Sequence, residues 1–360
     1  MSQQDRTLDR YQELMQINAA GHVLRAAREL GVFDELRRGQ RTAAQLAETL
    51  RLDRPGLDLL LDSLISMRVV ERYEDDHALA PVMQLLCQYD GDLGDASWSR
   101  LVAELRAPGP ASAASSDEPA AERQTAAEAA GDDALAAGDQ FYLHALAATQ
   151  WIHTPAAMQA AEMLDLGAEP TVDASRDGAP LPERGPLRIL DLGCGSAVWS
   201  CAMAFRDSEA TVLAVDDPAA LAAAQSTADS IELGARFETL AADPRTAPLP
   251  TAGFDLVVVA QRLHAATPQQ RDQLLDQAIT ALAPGGRLVL IDLFRGPTQP
   301  LLAETLEALR VHVGTTQGRL LSAPEFQQTL TQRGLAGIQF TFIAASRVNL
   351  GMIVAANPKH

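Results

Sequence analysis

The sequence is poor in positive charge, and this shortage limits the partners that we expect for it. It contains 29 lysine and arginine residues against 47 aspartate and glutamate residues, which gives a net charge of −18 at pH 7. Nucleic-acid backbones and anionic lipid surfaces both attract basic protein faces. We therefore expect neither a nucleic-acid partner nor a membrane partner. Lysine is almost absent, since Lys359 is the only one.

Cysteine and long apolar runs are also scarce. The three cysteines, Cys87, Cys194 and Cys201, are spaced neither like disulfide partners nor like metal ligands. We interpret them as reduced, structural thiols and expect no metal site. No basic start leads into an apolar leader, and no apolar run reaches the roughly 18 residues that span a bilayer. These features predict a soluble, cytoplasmic protein.

The chain is long enough for two domains, with 360 residues of which 47% are apolar. Residues 107–137 are of low complexity and offer too little apolar surface to offset the entropy of ordering, so we expect a solvated, mobile loop there. A second proline-rich and glycine-rich insertion runs from Glu169 to Pro186. The predicted division is a first domain at 1–104, a loop at 105–138, a connecting helix and linker at 139–186, and a second domain at 187–360.

Apolar positions three and four residues apart predict helices through most of residues 11–104. Thr42 and Asp53 are capping residues for two of them, and a β-hairpin is predicted between Val69 and Ala80. Three helices followed by a hairpin are typical of a winged helix. The third helix, between Arg54 and Arg68, carries two arginines and two aspartates, so it is a poor match for phosphates. We expect its apolar faces to pack against a second copy of the chain.

Residues 188–217 predict the βαβ unit on which the second domain is built. An apolar strand ends at Asp191, Gly193 and Gly195 form a turn, and a short helix leads to a strand closed by Asp216. Glycines expose backbone amides to a ligand, and the helix N-terminus adds partial positive charge. An acidic side chain about 20 residues further on suits a ribose diol. The unit is therefore predicted to hold a nucleoside.

The pattern of Asp191, Gly193 and Gly195 resembles the D-x-G-x-G motif of class I methyltransferases that use S-adenosyl-L-methionine (SAM). A dinucleotide fingerprint would need glycine where the chain has Val198, so NAD is disfavoured, while a plain turn with glycines for geometry stays an alternative. The resemblance implies SAM as cofactor and a Rossmann-like α/β domain with a mostly parallel seven-stranded sheet whose last strand is antiparallel. The cofactor-binding residues that it implies here are Asp191, Gly193, Gly195, Asp216 and Asp217.

The next two predicted strands bring further candidates to the same edge of the sheet. The strand at 235–242 ends at Asp243, a position that in the family contacts the adenine amino group. The strand at 254–260 is continuously apolar, which indicates a buried parallel strand. It delivers His264 to the carboxyl edge, where open α/β sheets bind their ligands.

Methyl transfer to a hydroxyl group requires removal of the hydroxyl proton, and histidine is the natural base near neutral pH. The segment from Leu263 to Pro268 resembles the L-H-D-W-S-D stretch of small-molecule O-methyltransferases, which implies that His264 is the proton acceptor. Asp292, at the end of the next strand, is its candidate orienting carboxylate. Ala265 and Ala266 replace the acid and the tryptophan of the family, so a histidine that only caps the next helix stays an alternative.

The stretch at 139–166 predicts a helix that Pro155 kinks or splits. In related enzymes this region closes over the methyl donor and lines the acceptor pocket. His144 and Trp151 lie seven residues apart and would share a helical face, so they are the candidate acceptor-binding residues. Ordinary interdomain packing of these aromatic side chains is the alternative.

Together these features resemble the homodimeric O-methyltransferases of the plant caffeate type and of the bacterial polyketide-tailoring type. The resemblance implies a mostly helical winged-helix dimerisation domain and O-methylation of a small aromatic or polycyclic hydroxyl compound. A relative that methylates nitrogen or carbon, or that uses SAM in a decarboxylation or hydroxylation, stays open. A non-enzymatic regulator is disfavoured by the neutral third helix.

Overall fold

The computed structural model divides the chain into two compact units, Met1–Ser99 and Arg100–His360. The residues that it describes are 3–84, 94–106, 138–143, 147–166, 185–296, 301–315, 317–346 and 348–358. The low-complexity stretch at 107–137 and most of the insertion from Glu169 to Pro186 lie outside these ranges.

The first unit is built from helices and a small antiparallel sheet that share one apolar core. Its elements are α1 (Gln3–Glu29), α2 (Val32–Arg37), β1 (Arg41–Thr42), α3 (Ala43–Leu50), α4 (Arg54–Ser66), β2 (Val70–Tyr73), β3 (Asp76–Leu79) and α5 (Asp95–Ser99). The strands lie in the order β1-β3-β2. Leu46, Leu61 and Leu64 are fully buried at the centre of its core.

The capping residues of this unit are confirmed. The Thr42 hydroxyl accepts a hydrogen bond from the Gln45 amide in a reciprocal capping box, and Asp53 accepts one from the Gly56 amide. The first helix is longer than predicted, because it begins at Gln3 rather than near residue 11. Its early apolar side chains are exposed, so they form no buried stripe by which the sequence could reveal the helix.

The second unit contains one large sheet with helices on both faces. Its elements are α6 (Leu101–Arg106), a 3₁₀ helix (Ala147–His153), α7 (Thr154–Met163), β4 (Arg188–Leu192), α8 (Val198–Arg206), β5 (Thr211–Asp216), α9 (Pro218–Ser230), β6 (Phe237–Ala241), β7 (Phe254–Ala260), α10 (Pro268–Ala281), β8 (Leu282–Leu293), α11 (Leu302–Gly314), α12 (Ala323–Gln332), β9 (Ala336–Phe342) and β10 (Leu350–Ala356). A short helical stretch also covers residues 138–143.

The strand order is β6-β5-β4-β7-β8-β10-β9, and β10 runs antiparallel to both of its neighbours. The predicted seven-stranded, mostly parallel sheet with an antiparallel last strand is therefore confirmed. The predicted break at Pro155 is also present, since the 3₁₀ helix gives way to α7 with Pro155 in its first turn. The order of the strands reverses between β4 and β7, which is where such sheets open a crevice at their carboxyl edge.

Two of the predicted structural thiols can be placed. Cys194 and Cys201 are buried free thiols, and Cys87 lies outside the described residues. Within the described ranges, no group of three or more histidine, cysteine, aspartate or glutamate side chains is arranged to hold a metal ion. None of the helices in those ranges is both long enough and apolar enough to cross a membrane.

Candidate functional site

A cavity of about 260 Å³ opens at the carboxyl edge of the sheet, beyond the ends of β5, β6 and β7. Three predicted cofactor-binding residues, Asp216, Asp217 and Asp243, line it together with Arg245 and Arg262. The topology explains this meeting, because parallel strands deliver the residues that follow them to one edge. The structure thus brings together acids that lie up to 27 positions apart in the sequence.

The glycine turn after β4 has the backbone conformation that the sequence predicts. Gly193 and Gly195 have φ angles of 77° and 54°, in the left-handed region that favours glycine. A Cβ added to Gly195 would lie 2.7 Å from the side-chain oxygen of Gln150. Both the conformation and the close approach therefore favour glycine at position 195.

Asp216 is buried beside this turn and is held by backbone amides. Its Oδ1 accepts a hydrogen bond from the Asp217 amide at 2.8 Å, and its Oδ2 accepts one from the Gly195 amide at 2.8 Å. The Tyr142 hydroxyl also donates to Oδ2, at 2.5 Å. Burial, and then the negative charge of Asp216, raise the pKa of Tyr142 well above its usual value, so the hydroxyl keeps its proton.

Asp191 is placed differently from what the motif predicts. Its side chain is fully buried, and it is not among the residues that line the cavity with Asp216. One carboxylate oxygen accepts a hydrogen bond from the Ser200 hydroxyl at 2.5 Å, while Oδ1 has no hydrogen-bond partner among the described residues. Burial raises the pKa of Asp191 to about 7. Asp191 therefore contacts α8 through Ser200 and is not part of the cavity wall.

Asp217 and Asp243 have structural partners at the cavity wall. Asp217 caps α9 by accepting a hydrogen bond from the Ala219 amide at 2.8 Å. Asp243 pairs with Arg245 at 2.9 Å. Burial opposes the ionisation of Asp243, but the hydrogen bonds from Arg245 outweigh it and lower the pKa of Asp243. Both acids are therefore held in place before any ligand arrives.

Arg262 is the principal buried cation of the site. Its guanidinium lies 3.6 Å from the centre of the Tyr142 ring, in a cation–π contact, and 3.3 Å from Asp139. Asp139 is shared with Arg245, at 3.0 Å. One nitrogen of Arg262, Nη1, is buried without a hydrogen-bond partner among the described residues. The stem of Arg262 passes over Gly193, where an added Cβ would lie 3.4 Å from it.

His264 and Asp292 form a buried pair at the same edge of the sheet. The distance from His264 Nδ1 to Asp292 Oδ1 is 2.5 Å, and both side chains are fully buried. The carboxylate also accepts hydrogen bonds from the backbone amides of Leu263, at 2.8 Å, and of Leu293, at 2.7 Å. The other ring nitrogen, Nε2, has no hydrogen-bond partner within the described part of the chain. Asp292 therefore fixes the ring and leaves Nε2 available to receive a proton.

Thr267, rather than His264, caps the helix that follows. The Thr267 hydroxyl accepts from the Gln270 amide at 3.2 Å, and the Gln270 side chain accepts from the Thr267 amide at 2.8 Å. This capping box fixes the start of α10 without the acid and the tryptophan that Ala265 and Ala266 replace. The alternative in which His264 serves only as a helix cap is thus not what the structure shows.

The candidate acceptor residues are only partly placed. Trp151 lies partly buried in the 3₁₀ helix, and His144 lies outside the described residues. The helix that contains Trp151 is a 3₁₀ helix, Ala147–His153. Their role in binding an acceptor remains a prediction.

Sequence reasoning did not include Tyr142, Gln150 and Arg262 among the site residues. Arg262 follows a continuously apolar strand at the carboxyl edge, and that position is a signal from which it could have been found. Tyr142 and Gln150 belong to a stretch that is not one regular helix, so spacing could not place them. Gln150 is buried over the glycine turn, with its side-chain oxygen accepting from the Ser196 amide at 3.1 Å.

The unpartnered polar atoms of the site call for a ligand with both donors and acceptors. The buried atoms that lack a hydrogen-bond partner among the described residues include Gln150 Nε2, Asp191 Oδ1, Arg262 Nη1 and His264 Nε2. Buried polar atoms are normally satisfied, so such a group of exceptions at one edge of the sheet is typical of a binding site. The amide and guanidinium nitrogens require acceptors, and the carboxylate oxygen requires a donor.

Two family matches cover separate parts of the chain. Residues 189–286 match the family described as a methyltransferase domain, and residues 12–85 match the O-methyltransferase dimerisation domain. The first match contains the glycine turn, the cavity acids and His264. The second contains most of α1, the helices α2, α3 and α4, and the hairpin of the first unit.

Individual proteins match in the same way. The carboxy-S-adenosyl-L-methionine synthase of Erwinia tasmaniensis is 34% identical over 110 residues, which cover 30% of this chain and 44% of that protein. The 3-hydroxy-5-methyl-1-naphthoate 3-O-methyltransferase of Streptomyces sahachiroi is 26% identical over 184 residues, which cover 50% of this chain and 52% of that protein. The chain thus spans about half the length of the curated relatives that it matches.

A solved structure with a similar fold is that of human N-acetylserotonin methyltransferase in complex with SAM. It is 21% identical, the match covers 100% of this chain and 99% of that chain, and the TM-score is 0.63. At this level of identity the likeness shows the fold alone.

Proposed function

We propose that this chain, which belongs to the methyltransferases that carry an O-methyltransferase dimerisation domain, methylates a hydroxyl group of a small molecule with SAM as donor. The observation that carries the proposal is the buried His264–Asp292 pair. It stands at the edge of the sheet that also presents the glycine turn and the acid-lined cavity.

The residues around the glycine turn fit SAM, which supplies an electrophilic methyl group when bound. Asp216 and Asp217 suit the ribose hydroxyls, and Asp243 suits the amino group of adenine. The unpartnered nitrogen of Arg262 suits a carboxylate. These donors and acceptors match the polar groups of a nucleoside that carries an amino acid.

His264 is the proposed general base. Its Nδ1 donates to Asp292, so Nε2 carries the lone pair that accepts the proton of an incoming hydroxyl group. Asp292 selects this tautomer and stabilises the charge that develops on the ring. The amides of Leu263 and Leu293 hold the carboxylate in turn, so the base is oriented by the backbone of two strand ends.

We further propose a soluble, cytoplasmic homodimer that takes a small aromatic or polycyclic hydroxyl compound and binds neither membrane nor nucleic acid. The dimerisation domain supports a second copy of the chain as partner. The naphthoate methyltransferase among the relatives supports an aromatic acceptor. His144 and Trp151 are the residues proposed to bind it.

The proposal is tested by replacing the base. His264→Ala is expected to lower turnover by about 100-fold while leaving SAM affinity unchanged, because the side chain acts on the acceptor proton and not on the cofactor. Turnover is measured with labelled SAM over a panel of phenolic acceptors, and SAM affinity is measured by calorimetry. His312→Ala removes an exposed histidine and serves as the matched control. Equal turnover in the two variants would dismiss His264 as the base.

A further inference from the structure

Two side chains of the protein form hydrogen bonds with groups of the site that are suited to bind a cofactor. The Tyr142 hydroxyl lies 2.5 Å from Asp216 Oδ2 and 2.9 Å from the Gly193 carbonyl. The Gln150 side-chain oxygen accepts from the Ser196 amide, directly over Gly195. A hydroxyl group on Asp216 and a carbonyl oxygen on an amide at the glycine turn reproduce two contacts of a nucleoside that carries a carboxylate.

Tyr142 and Gln150 are held over the turn by further contacts. The ring of Tyr142 is covered by the Arg262 guanidinium at 3.6 Å. Arg262 reaches Asp139 at 3.3 Å, three residues before the tyrosine. Both Tyr142 and Gln150 are buried, with 1% of the surface of each residue exposed to solvent. Space above the glycines is therefore filled by the protein itself.

We propose that Tyr142 and Gln150 stand in for the cofactor, so that SAM binds only after these two side chains leave Asp216 and Ser196. The inference rests on the proposed function and adds a competition between the chain and its cofactor for the same groups. Every contact that the two side chains make there stabilises the ligand-free protein, so each one lowers the apparent affinity for SAM.

The tyrosine hydroxyl gives the sharper test. Tyr142→Phe keeps the ring beneath Arg262, and Asp216 keeps its bonds from the Gly195 and Asp217 amides. The variant therefore removes the competing contact without leaving the carboxylate unpartnered. Calorimetry is expected to show SAM binding about 10-fold more tightly than to the wild type, since a hydrogen bond to a charged group contributes roughly that much. Tyr73→Phe removes an exposed hydroxyl that bonds to Glu71 and is the matched control.

The glutamine is tested with a pair of ligands. Gln150→Ala is expected to tighten SAM, whose carboxylate then takes the Ser196 amide without competition. It should leave adenosine, which has no carboxylate, at its wild-type affinity. Tyr142→Phe should instead bind adenosine more tightly than the wild type does. Its affinity for 2′,3′-dideoxyadenosine, which lacks the ribose hydroxyls, should not change. This crossed pattern assigns each side chain to the ligand group for which it stands in.

Trp199 supplies a signal for the release step. Its ring stacks on His153 with centroids 6.2 Å apart, and His153 belongs to the same 3₁₀ helix as Gln150. Departure of Gln150 is therefore expected to change Trp199 fluorescence when SAM is mixed with the protein. In wild type the observed rate should level off at high SAM, and in Tyr142→Phe that limiting rate should rise.

The outcomes separate the two proposals. Absence of SAM binding to the wild-type chain would overturn the proposed function. If SAM binds the wild type but binds Tyr142→Phe equally or more weakly, then Tyr142 is an ordinary support of the site or a cofactor ligand, and the competition is refuted. Thermal unfolding of each variant, compared with Tyr73→Phe, shows that a loss of affinity does not arise from a loss of the fold.

Discussion

Asp292 accepts more backbone hydrogen bonds than the other acids of the site. Its replacement by asparagine should therefore lower both stability and turnover. Its two oxygens accept from three backbone amides and from His264 Nδ1. Asparagine has one acceptor oxygen, so in Asp292→Asn an NH₂ group must face at least one of these donors. We expect a loss of about 1–3 kcal/mol in unfolding free energy and a 10- to 100-fold lower turnover, with SAM affinity retained.

Asp255→Asn is the control for this substitution. Asp255 also accepts from a backbone amide, that of Arg188 at 3.0 Å, but it lies near the start of β7, at the other end from His264. It should cost some stability and leave turnover unchanged. Urea unfolding and steady-state kinetics of the two variants check the prediction, and equal turnover in both would remove Asp292 from the catalytic pair.

The stability of the protein should depend on pH through Asp191. Burial raises its pKa in the folded chain to about 7, while an unfolded aspartate has a pKa of about 3.9. Between these values the unfolded chain has released the proton and the folded chain has kept it. The contribution of this group to stability therefore falls as pH rises from about 4 to 7, and it is constant above pH 7.

Asp191→Asn removes this dependence and keeps a partner for the Ser200 hydroxyl. We expect the unfolding free energy of the variant to exceed that of the wild type by on the order of a few kcal/mol at pH 8 and by little at pH 4. Urea unfolding in the absence of ligand at the two pH values measures the gain. A gain of the same size at both values would show that Asp191 is ionised in the folded chain throughout this range.

At the scale of elements, the start of α10 explains how this chain functions with alanines after His264. Thr267 and Gln270 cap the helix reciprocally, so Thr267→Ala should lower the unfolding free energy by about 1 kcal/mol. Because the helix follows His264 by only a few residues, turnover should fall as well. Thr42→Ala breaks the same kind of box in the first unit and should cost similar stability without affecting turnover. Loss of turnover in both variants, measured below their unfolding temperatures, would contradict the local role of Thr267.

Some features of these elements could be predicted from the sequence, and others could not. The capping residues and the acids at strand ends follow from local pattern, because each depends on a few neighbouring residues and on the rule that parallel strands share an edge. The seven-stranded sheet follows from the family resemblance instead. The depth of Asp191 and the cover of Tyr142 and Gln150 over the turn depend on packing between distant segments. Asp191 precedes Asp216 by 25 positions, and only the packing of α8 decides that it faces Ser200.

For the whole molecule, the net charge opposes association of two copies, whereas the exposed apolar surface favours it. Each copy carries a net charge of −18, so association of two copies brings like charges together. Along α1, Leu8, Tyr11 and Met15 are more than half exposed although they share one face. Within a dimerisation domain such a face is suited to cover by a second copy.

Met15→Glu should therefore convert the proposed dimer into a monomer, because it places a further negative charge on this face. Gln16→Glu adds the same charge one position along, on another side of the helix, and should leave the dimer intact. Sedimentation at micromolar concentration distinguishes the two, and in the wild type dissociation should increase as salt is lowered, since screening of the like charges weakens. A dimer that survives Met15→Glu at low salt would place the interface elsewhere on the chain.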